Sequence, residues 1–199
     1  MIATLIYLFI FSHILEERAQ AYPGVTYTAF LIPGLLMMAM LQNAFANSSS
    51  SLIQSKISGS IVFVLLSPLS YMEIFVAYVL ASIVRGFLVG AGIYLVILIF
   101  FDMPLQSLSW VFIFALIGNG FLGVLGIIAA IWAEKFDQLA SFQNFVILPL
   151  TFLSGVFYTI HSLPPFWEGL SRFNPFFYVI DGFRYGFFGI SDVSPYFSF

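Results

Sequence analysis

Between Glu73 and Phe101 the chain runs for about 29 residues in which Arg85 is the one charge after Glu73 itself. Inside a bilayer the backbone must satisfy its own hydrogen-bonding groups, so a run of this kind crosses as a helix. At about 1.5 Å per residue it reaches some 43 Å, beyond a hydrocarbon core of about 30 Å, and must tilt or project. If its last twenty or so residues span, Arg85 lies near one membrane boundary. From there its side chain snorkels to water, which makes it a boundary residue rather than a buried functional cation. Gly86 and Gly90 form a small-xxx-small pair suited to close helix packing.

Composition extends this argument to the whole chain. Of 199 residues, 61% are hydrophobic and 8% charged, with a mean hydropathy of +1.06, so this is an integral membrane protein. The net charge of −3 is scattered, leaving no basic patch for nucleic acid and no polybasic tail for lipid headgroups. Without cysteine there are no disulfides, thiolate nucleophiles or sulfur ligands. His13 and His161 stand in different flanks with no carboxylate at ligand spacing, which supports neither a zinc site nor a catalytic base. The spans hold almost no ionisable groups that converge at one depth, which argues against a membrane enzyme. No Gly-x-x-x-x-Gly-Lys-Ser/Thr occurs, so if ATP powers this protein the ATPase is another chain. No catalytic residue, cofactor or metal ligand is assigned.

Four further apolar runs complete the expected architecture. Ile2 to Leu15 reaches only about 21 Å and reads as a first helix cut short at its start. A secretory signal cut at Ala19-Gln20-Ala21 is the rival, opposed by the lack of any Lys or Arg before the run and by Glu16-Glu17-Arg18 beside the cut. Tyr27 to Ala46 is a second span with Pro33-Gly34 near its start, and Gln42, Asn43 and Asn47 mark its far boundary. Ser48 to Ser70 is polar and then amphipathic, a linker containing a short surface helix, with Lys56 its only charge. After a short loop from Asp102 to Ser107, Leu108 to Ala133 is the fourth span. Within it Gly118-Asn119-Gly120-Phe121-Leu122-Gly123 spells a dinucleotide fingerprint but lacks the preceding strand, so it reads as small residues for helix packing. Glu134 to Gln143 is a polar loop, and Asn144 to Ile160 is a fifth span that Pro149 should kink. After Ile190 no apolar run is long enough to cross, so the carboxyl end is expected outside.

From Leu148 to Arg184 the chain fits neither a plain span nor a soluble loop. It breaks at Pro164-Pro165, and Phe166, Trp167, Phe173, Phe176, Phe177 and Tyr178 offer rings suited to the headgroup boundary. This reads as a helix that leaves the membrane and turns back into its surface, with an ordinary interfacial loop as the plainer alternative.

The same stretch carries a resemblance. Leu-Pro-Leu, Leu-Ser-Gly-Val-Phe-Tyr, Ser-Leu-Pro-Pro-Phe, Asn-Pro and Asp-Gly-Phe-Arg follow one another between Leu148 and Arg184, in an order that resembles the signature of ABC-2 type permeases, the membrane subunits of bacterial ABC exporters. Gly59 followed by Leu65-Leu66-Ser67-Pro68-Leu69-Ser70 is similar to the family's cytosolic segment, although Val62 and Phe63 stand where many members carry acidic residues. The resemblance implies an all-α polytopic membrane protein with about five transmembrane helices, a cytosolic amphipathic helix and external re-entrant helices. It makes residues 1–199 a single transmembrane domain, truncated at both ends, since an amphipathic helix before the first span and a sixth span are both missing. Lys, Arg counts on the two sides tie, so orientation also comes from the family. The function it implies is a multi-pass permease in a bacterial inner membrane, exporting an amphipathic, lipid-like, drug or glycan substrate, with a non-transporting scaffold or inactive fragment as the alternative. Separate cytosolic ATPase subunits and a second permease copy are the implied partners, beside the bilayer. Lys56, Gly59, Leu65, Leu66 and Pro68 are then expected to couple to the ATPase, with a helix resting on lipid as the plainer reading. Pro164, Pro165, Phe166, Trp167, Asn174, Pro175, Asp181 and Arg184 are expected to form the external gate.

Overall fold

A computed structural model describes residues 25–101 and 103–193, together with Ile6 and Ile10; apart from those two residues, the expected first span, with His13 and the Ala19-Gln20-Ala21 site, lies outside the described residues. In chain order the helices are α1 (Tyr27–Ile57), α2 (Ile61–Leu65), α3 (Tyr71–Phe100), α4 (Leu108–Trp132), α5 (Phe136–Phe142), α6 (Leu148–Phe152), α7 (Pro165–Arg172) and α8 (Pro175–Phe188). A π-helical turn, Gln143–Ile147, joins α5 to α6, and a 3-10 turn, Ile160–Ser162, precedes α7. Among the described residues three helices, α1, α3 and α4, are long and apolar enough to cross a membrane. The all-helical class therefore holds, while five crossings are not established.

Two expected boundaries move, each for a local reason. The polar run after Ala46 is not a linker at first, because α1 continues through it to Ile57. Its serines fold their hydroxyls back onto the helix: Ser49 donates to the Phe45 carbonyl at 2.7 Å and Ser55 to that of Ser51 at 2.9 Å. Back-bonded serines carry little polarity outward, so the helix persists. The expected loop from Glu134 to Gln143 is also helical from Phe136, with Asp137 in the first turn and Leu139 buried. That helix ends at Phe152, so the helical stretch expected over 144–160 is shifted toward the amino end, to residues 136–152, and the chain to Thr159 is irregular. The wide π-helical turn lies directly before Pro149, where the ring removes a backbone donor, and it takes up the disturbance a kink would otherwise absorb.

Packing centres on α1, which is enclosed over most of its length, whereas α3 turns most of its surface outward. Close approach requires small residues at the contacts. A Cβ on Gly126 of α4 would lie 2.6 Å from the Phe45 carbonyl oxygen and overlap Ser48, and one on Gly118 would overlap Met37. Ser48 uses that proximity, donating to the Gly123 carbonyl at 2.8 Å. Between α3 and α4, Gly86 faces the side-chain amide of Asn119, and Gly123 faces Ser82. The false fingerprint is thus a packing surface. Gly90 of the small-xxx-small pair meets Met40 of α1, so the two glycines serve different partners.

At one end of the bundle the Lys56 ammonium donates to the carbonyls of Ala130 and Ile131, each at 3.0 Å, and of Ala133 at 2.5 Å. A cation on the last carbonyls of a helix satisfies acceptors that have no partner within it and complements its dipole. Arg85 is exposed and donates to Asn47 Oδ1 at 3.3 Å, so the two boundary residues meet. At the start of α3, Ser70 and Glu73 form a reciprocal capping box.

Two substitutions separate contact from composition on the α3–α4 interface. Gly86→Ala places a methyl group inside the Asn119 amide and should cost roughly 1–3 kcal/mol, whereas Gly120→Ala meets only Ile83 Cδ1 at 3.6 Å and should be neutral or slightly stabilising. Thermal unfolding in detergent reads both, and Asn119→Ala should rescue the first. Lys56→Met, which keeps the stem and removes the donors, should lower the apparent midpoint by roughly 2–4 °C, corresponding to about 1 kcal/mol; an unchanged midpoint would mean that water replaces the ammonium at no cost.

Candidate functional site

The residues anticipated from the sequence fall at opposite ends of the bundle. At the Lys56 end, α1 and α3 are joined by a short segment that packs on little else. Gly59 turns the chain at a φ of 74°, in the left-handed region that favours glycine, with open space around it. The single-turn helix α2 follows, and its apolar side chains face outward: Phe63 is 78% exposed, Leu65 61% and Leu66 77%, beside exposed Val62 and Leu69. Ile61 and Val64 are half-buried, so only part of the expected apolar ridge is free. Pro68 lies beyond the end of α2, in the bend that leads to the Ser70 cap. Lys56 is set apart from this surface, because its ammonium is engaged on the α4 carbonyls.

At the other end, α8 lies against the first half of α4. It is fourteen residues long, about 21 Å, and too short to cross. Asn174 caps its start, accepting from the Phe176 N–H at 3.1 Å while its amide donates to the Leu150 carbonyl at 2.6 Å, and Pro175 takes the first helical position. Gly182 and Gly186 let α8 approach: a Cβ on the first would overlap the Phe114 ring, and one on the second would lie 2.5 Å from Val111 Cγ2. The Gly186 and Phe187 carbonyls accept from Ser107 and Gln106 N–H groups at 2.9 and 3.3 Å. Phe176 and Phe177, expected in the interfacial belt, are instead in the core, because they project from the buried side of α8. Phe166, Trp167 and Phe173 are exposed, as a belt requires.

Two charges lie inside this packing, Asp181 and Arg184, each only 1% exposed. The Arg184 guanidinium sits 3.8 Å from the centroid of the Phe30 ring of α1, and its Nη2 donates to the Gly155 carbonyl at 3.0 Å and more weakly to that of Val156 at 3.5 Å. Gly155 makes this loop possible with a φ of 74°, and Gly34 lets Val156 approach α1, since a Cβ there would lie 2.9 Å from the Val156 oxygen. Tyr27 donates to the neighbouring Phe157 carbonyl at 2.8 Å. Asp181 accepts from the N–H groups of Asp192 and Val193 at 3.0 and 3.2 Å. Burial pushes its carboxyl up to about 6, against the pull of those amides and of the Arg184 charge. Asp192 in turn accepts from the Ile160 N–H at 2.9 Å. Burial also raises the Tyr158 phenol, which donates to the Phe152 carbonyl at 3.2 Å.

Of the eight residues anticipated at this end, Asn174, Asp181 and Arg184 are buried on α8 or at its start, each holding backbone of a different segment. Pro164, Pro165, Phe166 and Trp167 stand apart on exposed α7 and its lead-in, and Pro175 is exposed at the α8 start. Sequence reasoning missed Phe30, and it noted Gly34 only beside Pro33 and Gly155 only within Leu-Ser-Gly-Val-Phe-Tyr, without a place for either beside Arg184. It also missed Asn119, a fully buried amide with no hydrogen-bond partner for either of its atoms. Among the described residues no group of histidines and carboxylates could hold a metal ion.

Known proteins match this chain along nearly its whole length. The family model for the ABC-2 type transporter matches residues 1–188. The chain is 39% identical over 195 residues to the inner membrane transport permease YadH of Escherichia coli (strain K12), covering 97% of this chain and 75% of that one. It is 29% identical over 182 residues to nodulation protein J of Rhizobium leguminosarum bv. trifolii, covering 90% of this chain and 69% of the relative, and 26% identical over 182 residues to nodulation protein J of Rhizobium meliloti (strain 1021). Three helices long and apolar enough to cross a membrane suit a transport permease, and the chain belongs to the ABC-2 type transporter family.

Proposed function

We propose that this permease is the membrane-spanning subunit of an ATP-driven exporter that moves an amphipathic, lipid-like, drug or glycan substrate outward across a bacterial inner membrane. It works as a pair of copies above separate cytosolic ATPase subunits. The observation that supports this reading best is the segment between α1 and α3. It presents Phe63, Leu65 and Leu66 to the exterior of the bundle at the end where Lys56 fastens α1 to α4. A single apolar turn held between two crossing helices is a contact point for a groove on a partner. A push there reaches α3 through the Ser70 cap and α1 through the few residues around Gly59. Lys56 stiffens the base of this segment rather than touching the partner, while Leu65 and Leu66 make the contact. Because the sequence holds no phosphate-binding loop, work from ATP arrives through such a contact. The opposite end, with Asn174, Asp181 and Arg184 buried around α8 and Pro164 to Trp167 exposed on α7, is the external gate.

Single cysteines through Ser55 to Ser70 test the docking assignment against a background without native thiols. With the ATPase subunit co-expressed, crosslinks are expected at Phe63, Leu65 and Leu66 and not at Lys56, and Leu65→Asp with Leu66→Asp should abolish co-purification at unchanged membrane levels. An ATPase that co-purifies with the parent chain and crosslinks at none of these positions would place the contact elsewhere.

A further inference from the structure

Asp181 and Arg184 are three residues apart on α8, where opposite charges on one helix face ordinarily meet, and the order acid then base is the favourable one. They do not pair: the ion pair found among the described residues is that of Arg172 with Glu168 on α7. Each charge holds backbone from a different segment instead. Arg184 holds the carbonyls of Gly155 and Val156, in the loop after α6, and Asp181 holds the N–H groups of Asp192 and Val193, in the stretch after α8. The two held segments are themselves joined, since Asp192 accepts from the Ile160 N–H. Arg184 remains under-satisfied, with its buried Nε–H lacking any acceptor. A buried cation resting on neutral groups and a ring, with an unfilled donor, is an expensive arrangement that a carboxylate within reach would relieve.

We propose that Asp181 and Arg184 form a two-position charge switch for the gate. In the arrangement described here each clamps a separate backbone segment against α8; when those segments withdraw, the two side chains pair with one another within α8. Neither charge is left bare in either position, which is the condition for a bistable element inside an apolar bundle. The exchange needs only rotamer changes over a single helical turn. Because the 155–156 loop leads into α7 and the 192–193 stretch leaves α8, release of both frees the two flanks of α7 and α8 together. The inference rests on assigning this end as the gate.

Distances between spin labels on Phe166→Cys and Leu108→Cys, both exposed, track α7 against α4 in lipid nanodiscs. The chain alone suffices, so the result is independent of ATPase docking, and a failure here leaves the docking experiment to judge the exporter reading. The charge swap Asp181→Arg with Arg184→Asp restores the pair on α8 while removing both backbone clamps, because arginine cannot accept from the 192 and 193 amides and aspartate cannot donate to the 155 and 156 carbonyls. The longer-distance population should then exceed the product of the two single-swap effects by about threefold or more, as an ion pair on one helix face supplies. A double-swap effect equal to that product would overturn the switch and leave two independent struts. Should the swap fail to fold, the milder cycle of Asp181→Asn, Arg184→Gln and their combination decides. The switch requires the double variant to populate the longer distance more than the product of the two single effects, because the lost pair is then counted once instead of twice. A double effect equal to that product, or below it, overturns the proposal.

Discussion

Everything in this fold depends on how closely α4 can lie against α1. Lipid tails are as apolar as the side chains they meet, so two crossing helices gain little by hiding leucines from them; what binds them is contact and internal hydrogen bonding. Gly118 and Gly126 remove the side chains that would hold α4 away, and the approach they permit puts the Gly123 carbonyl within reach of the Ser48 hydroxyl. Once α4 is seated, α3 closes the other side through Gly86 and Gly90, and most of α1 is enclosed. Polar atoms therefore point inward, onto carbonyls, while α3 turns leucine and valine outward, the reverse of a soluble bundle.

The long apolar runs were legible because length and hydropathy answer one question, whether a helix can cross, and α1, α3 and α4 answer it without help from their neighbours. The glycines inside Gly118 to Gly123 were legible as packing residues for the same reason, since only small side chains suit a mid-helix contact of this kind. Polarity alone misled at Ser48 to Ile57, where serine hydroxyls satisfy themselves on the helix backbone and the polar letters conceal a regular element. Residue type misled again at Phe176 and Phe177: an aromatic ring belongs equally to a headgroup belt and to a core, and only the direction in which α8 faces α4 distinguishes them. Asp181 and Arg184 came from a family pattern, and no local rule would have shown that each is held by backbone rather than by the other. Contacts such as Arg184 with Phe30, over 150 residues apart in sequence, are set by tertiary packing alone.

The two ends of the bundle solve the problem of loose backbone groups in different ways. At one end the carbonyls that terminate α4 are gathered by a single ammonium, which sits at the boundary where water also reaches it. Its three acceptors belong to one helix terminus, so Lys56 ties α1 to the end of α4 as a unit. At the other end the acceptors and donors belong to irregular segments on either side of α7 and α8, and each is held by one side chain. Such contacts are individually replaceable, and the groups that make them carry opposite charges one turn apart.

This difference fits the direction in which work would travel through the proposed exporter. A stiff base transmits displacement, because α1 and α4 cannot slide past one another while glycine contacts and the Lys56 bridge fix their relative position. A yielding end converts displacement into opening only if the bonds it breaks are recovered elsewhere, since buried charges released without a partner would set a barrier larger than most conformational steps can meet. Backbone groups released from α8 regain partners in water at the membrane surface, but Asp181 and Arg184, both buried, have no such refuge. Their nearest remedy is each other, which is why the proposed gate would need both charges on the same turn of α8 and would gain little from either one alone.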